Sequence, residues 1–127
     1  MMERRRILRP EAAKKLTLAK LVFWLAVAFA FVMAAMPYPP EFPGGPSDKV
    51  QHVIAFLVLA ALGLWAYPRS PKRLLLVGLA AFGALIELVQ SIPALNRDSD
   101  PTDWMADTLA AATVLTLVAL WRLAKER

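Results

Sequence analysis

The sequence predicts an all-α, polytopic membrane protein with four transmembrane helices, and three observations predict it. Hydrophobic residues make up 58% of the 127 residues, above the roughly 45–50% of soluble domains. Long uncharged stretches recur four times, at 21–40, 53–68, 74–86 and 108–121. Prolines and helix-capping residues stand between these stretches and punctuate them. A chain this short has too little interior to hide four such blocks. A bilayer core takes roughly 17–25 residues per helix.

The first span is expected over about 21–36, where Pro37-Tyr38-Pro39-Pro40 stops it. The second runs over about 50–67 and is closed by Pro68. Asp48 reads as its cap, with Gln51 at the third position. The third covers about 71–92, opened by Ser70 as cap and Pro71 as first residue, and ends before Pro93. The fourth, about 101–121, opens on Asp100-Pro101-Thr102-Asp103: a cap, a first-position proline and an acidic third residue. Together they make one membrane domain over 21–127, preceded by a basic segment over 1–20. The aromatic side chains of the first span read as lipid-facing bulk. Tyr67, Trp104 and Trp121 read as anchors at the membrane interface.

Orientation follows from the basic residues. Of the 15 Lys and Arg, thirteen fall before the first span, between the second and third, or after the fourth. Lys49 and Arg97 alone fall on the other side. Both termini are therefore expected in the cytoplasm. This placement at span ends, rather than on one face, argues against nucleic acid as the partner of a chain with net charge +5. The basic start, the apolar stretch and Val32-Met33-Ala34 also fit a cleaved signal peptide. The stretch exceeds the usual apolar region of such a peptide, so a retained span is the expectation. With no cysteine, disulfides and thiolate metal sites are excluded.

The residues that interrupt the spans carry the chemistry. Asp48, Lys49 and His52 open the second span, Glu87 and Gln90 end the third, and Asp103 and Asp107 lie in the first two turns of the fourth. At 1.5 Å per residue, Glu87 lies roughly 21 Å above Arg73, Asp107 roughly 22 Å above Arg122, and His52 roughly 25 Å above Arg69. Three helices thus bring ionisable groups to one level. Spacings of three and four put each set on one helix face, continued by the small residues Ala80, Gly83, Ala110 and Ala111. A carboxylate facing lipid costs at least about 2.5–3.5 kcal/mol. The faces should therefore meet, with Lys49, His52 and Arg97 as cationic partners.

These residues resemble the VanZ-like membrane proteins over about 47–115. The resemblance rests on Asp48-Lys49-x-x-His52 with Phe56, on Glu87-x-x-Gln90, and on Arg97 followed by Asp103 and Asp107. Ala111 stands where the family pattern suggests a glycine. The family's namesake is associated with resistance to teicoplanin-type glycopeptides. The resemblance implies a bacterial cytoplasmic membrane and work on the cell envelope, and supplies no reaction.

Three functions of different classes remain open at this stage. The first is an outward-facing pocket that binds an envelope component, a lipid headgroup or a lipid-linked precursor. Asp48, Lys49, His52, Glu87, Gln90, Arg97, Asp103 and Asp107 would line it, with Arg97 on a phosphate and the acids on amines or hydroxyls. The second is an intramembrane enzyme with His52 as general acid or base and Glu87 or Asp107 as its carboxylate partner. In one variant His52, Glu87, Asp103 and Asp107 hold a divalent cation, with oxygen-rich ligation favouring Mg²⁺, Ca²⁺ or Mn²⁺. The third is a structural or assembly protein whose polar layer only sets helix pairing. No nucleophile elbow, phosphate loop or HExxH pattern is present, and Ser91 and Thr108 near the layer have no special context.

Overall fold

The computed structural model describes residues 9–40 and 43–127, and among these it contains four α-helices and no strand. The helices are α1 (Pro10–Ala35), α2 (Asp48–Ala66), α3 (Lys72–Gln90) and α4 (Pro101–Lys125). Each is long and apolar enough to cross a membrane, the build of a multi-pass membrane protein. Arg4, Arg5 and Arg6, used above for orientation, lie outside the described residues.

Local chemistry explains where the helices begin and end. Met36 and Ile92 both precede a proline and take extended ψ values of 123° and 118°. A proline ring excludes helical backbone from the residue before it. A single 3₁₀ turn, Pro93–Leu95, follows α3, and Asn96 leaves it in the left-handed region at φ 49°. Asparagine tolerates that region. Asp100 caps α4 as expected, accepting from the Thr102 N–H at 2.9 Å.

Two caps differ from expectation. Ser47, not Asp48, caps α2, its hydroxyl accepting from the Val50 N–H at 3.3 Å. Asp48 is thereby freed to use its carboxylate elsewhere. Ser70 does not cap α3. Its N–H closes a turn onto the Tyr67 carbonyl at 3.2 Å, and Pro71, with ψ 135°, occupies the cap position without a side-chain bond. That tight turn consumes Ser70, so the chain needs one extended residue to re-enter the bundle. α1 also starts earlier than the apolar stretch. From Pro10 onward the basic segment is its first turns, built of good helix formers such as Ala12, Ala13, Lys14 and Lys15.

The helices run up and down, so segments 36–40, 43–47 and 91–100 share one end and the 67–71 turn lies with the start of α1 and the end of α4. α2 touches all three other helices, α4 packs on α2 and α3, and α1 lies against α2 and α3. The core is made by Phe56, Leu59, Ala60, Leu79, Ile86, Ala110 and Ala111. Ala111 is fully buried there. Gly63 lets α2 and α3 close up, since a Cβ there would stand 2.7 Å from Leu75 Cδ1. Near the termini, Phe23 sets its edge against Tyr67, and the Trp24 indole N–H donates to the Tyr67 hydroxyl at 2.8 Å.

Solvent-type logic is inverted on this molecule. Leu74, Val77, Leu88, Leu109 and Leu117 are all more than half exposed, while His52, Glu87, Gln90, Asp103 and Asp107 are buried. Such a surface suits lipid, and the polar groups turn inward as lipid requires.

Candidate functional site

The buried polar residues gather at the end of the bundle that carries segments 36–40, 43–47 and 91–100. α2 contributes Asp48, Lys49 and His52 from its first two turns, on adjoining faces. α4 contributes Asp103 and Asp107, one turn apart, and α3 contributes Glu87 and Gln90 from its last turn. The expected meeting of three helices occurs. One ligating atom each from His52, Glu87 and Asp107 lies within 4.8 Å of the other two, and the same holds for Asp48, His52 and Asp103.

His52 is the shared member. Its Nδ1 stands 3.2 Å from Asp107 Oδ2, and its Nε2 stands 3.9 Å from Asp48 Oδ2. An imidazole carrying its proton on Nδ1 donates to Asp107 and leaves Nε2 facing Asp48. The cations take separate carboxylates. Lys49 pairs with Asp103 at 3.4 Å and donates to the Thr102 hydroxyl at 2.8 Å. Arg97 pairs with Asp48 at 3.3 Å and donates to the Met36 carbonyl at 3.3 Å.

Glu87 is held by the 91–100 loop. The Asp100 N–H donates to its Oε2 at 2.9 Å and the Ser99 hydroxyl at 3.1 Å. Its Oε1 is buried with no partner, as are Asp107 Oδ1 and Gln90 Oε1. Buried polar atoms are paired as a rule, so three orphaned acceptors on one layer are a property to be explained. Asp100 itself lies outside the helix it caps. The Thr102 backbone N–H on its carboxylate holds it below the usual aspartate range.

Beside the layer lies a cavity of about 470 Å³ between α1, α2 and the prolines Pro39, Pro40 and Pro46. Asp48, Gln51, His52 and Arg97 form its polar side, and Phe29, Ala30, Met33, Phe56 and Ile86 its apolar side. Two departures from the sequence reading stand out here. Not all aromatic side chains of the first span are lipid-facing bulk: Phe23 is buried and Phe29 walls the cavity, while the Ala34 carbonyl near the helix end accepts from Gln90 at 3.2 Å. Trp104, expected as an interface anchor, donates its indole N–H to the Ala80 carbonyl at 2.9 Å and so ties α4 to α3. Ser99, whose hydroxyl donates to Glu87, and Thr102, whose hydroxyl accepts from Lys49, belong to the site without being among its expected residues. Their signal was their place beside the Asp100 cap. Ser91 and Thr108 bond carbonyls of their own helices, Leu88 and Trp104.

Comparison of the chain with protein-family models, with curated proteins and with solved structures found no match.

Proposed function

We propose that this is a VanZ-like integral membrane protein of the bacterial cytoplasmic membrane, with both termini inside. Its cavity binds the polar headgroup region of a cell-envelope lipid or lipid-linked precursor at the outer face. The observation that carries this reading is the two-sided lining of the 470 Å³ cavity. Amphiphiles need such a lining: apolar walls for the first methylenes of a chain, charged groups for what precedes them. Arg97 uses two of its five N–H donors on Asp48 and Met36, which leaves donors for a phosphate. Asp48, half exposed, offers an acceptor for an amine or a sugar hydroxyl.

Native mass spectrometry of the purified protein tests the reading. The parent should retain a defined lipid. Arg97→Gln should lose it by removing the phosphate donor, and Ala30→Trp by filling the cavity while keeping every charge. Retention of the same lipid at the same occupancy by both variants would defeat the proposal.

One observation favours a second reading, an intramembrane enzyme acting on the same molecule. His52 and Asp107 form the pair of a general base and its orienting carboxylate. Turnover of a retained lipid that stops in His52→Gln would support it.

A further inference from the structure

The layer holds more buried negative charge than its cations match. Asp48 is taken by Arg97 and Asp103 by Lys49. Among the described residues, Glu87 and Asp107 are left with one imidazole between them. Asp107 has no exposed surface and Glu87 is 9% exposed. Ions buried at this depth are costly unless neutralised. Each of the two carboxylates also keeps one buried oxygen without a hydrogen-bond donor. The same two carboxylates thus have both an unpaired oxygen and an unbalanced negative charge, the chemistry that a cation complements.

We infer that His52, Glu87 and Asp107 form a binding site for a single divalent cation. Nitrogen and oxygen ligands sit roughly 2.0–2.6 Å from such ions, so ligands on opposite sides of one ion lie roughly 4–5 Å apart. The three ligating atoms fall within 4.8 Å of one another, which a single ion can span. Two carboxylates and a neutral imidazole balance a charge of +2. One imidazole among carboxylates suits Mn²⁺ or Zn²⁺ over Mg²⁺ and Ca²⁺, whose ligands are oxygens. The second triad, Asp48, His52 and Asp103, is the weaker candidate because both of its acids already have cationic partners. Of the three, only His52 lines the cavity, so ion binding does not depend on a headgroup being present.

The test uses the full chain in detergent, stripped with a chelator and titrated with Mn²⁺ or Zn²⁺ alone. Mn²⁺ is followed by electron paramagnetic resonance and Zn²⁺ by the thermal unfolding midpoint, with Ca²⁺ as the comparison ion. The parent should bind one ion per chain and unfold at higher temperature when loaded. Glu87→Gln, Asp107→Asn and His52→Gln should each weaken binding by about tenfold or more. Asp98→Asn, on the exposed loop, should bind as the parent does. Glu87→Gln and Asp107→Asn keep side-chain size and remove a buried charge, so they should fold. His52→Gln covers the case in which either fails to accumulate. Absence of saturable Mn²⁺ or Zn²⁺ binding by the folded parent would overturn the inference. So would parental affinity in the variants. No lipid is added, so the result stands apart from the lipid-retention experiment.

Discussion

Glu87 and Asp100 are tied through one backbone N–H, and the two carboxylates illustrate opposite situations. Glu87 is buried and half satisfied, whereas Asp100 is a solvent-side cap with its acceptor filled by Thr102. A carboxyl held below its unfolded value contributes stability above that value and loses it as pH falls through the folded one. The α4 cap therefore weakens on the acid side. Asp100→Asn keeps an acceptor that does not titrate. Its unfolding midpoint should fall less steeply than the parent's between roughly pH 5 and pH 2, and parallel curves would remove Asp100 from the account. At this scale the sequence was informative about identity and less so about pairing. Charges at mid-span depth had to meet, because lipid leaves them no alternative. Which cation met which acid depended on loop geometry: Arg97 reached Asp48 because Ser47 had taken the cap.

Between elements, one indole ties α4 to α3 by a hydrogen bond. Trp104 lies over Gly83, where a Cβ would be 3.1 Å from its Cδ1, and donates to the Ala80 carbonyl. Trp104→Phe keeps most of the ring and removes the donor. It should lower stability by about 0.5–1.5 kcal/mol, read from the thermal midpoint in detergent. Gly83→Leu should cost more, because it lifts the ring and separates the helices. A tolerant Gly83→Leu variant would show that the two helices are not held at this point. Helix existence and length were legible in the charge-free stretches and the proline stops. The tie itself was not, since a tryptophan near a span end reads as an interface anchor. Its partner, a main-chain carbonyl on another helix, leaves no trace in the residue types.

For the whole molecule, the proposed orientation makes a direct prediction. Reporter fusions after residues 45, 70, 97 and 127 should read outside, inside, outside and inside, and an outside-reading C-terminus would refute it. The orientation matters because it decides which leaflet the cavity opens toward. α1 joins this assembly in an unusual manner. It has no charged side chain between Lys20 and its end, yet the carbonyls of Ala34, its penultimate residue, and Met36, just beyond it, accept from Gln90 and Arg97. Helix C-termini leave such carbonyls unfilled, and any residue would present the same oxygen. The joint is therefore blind to side-chain identity and sensitive to length. Exposed apolar residues of α1 such as Leu21, Leu25 and Val32 can be exchanged freely in the course of evolution. A single inserted residue would turn the last carbonyls by about 100° and raise them by about 1.5 Å, past the reach of both donors. The distance from Lys20 to Pro37 is therefore something selection on this helix must preserve beside the buried Phe23 and the cavity wall.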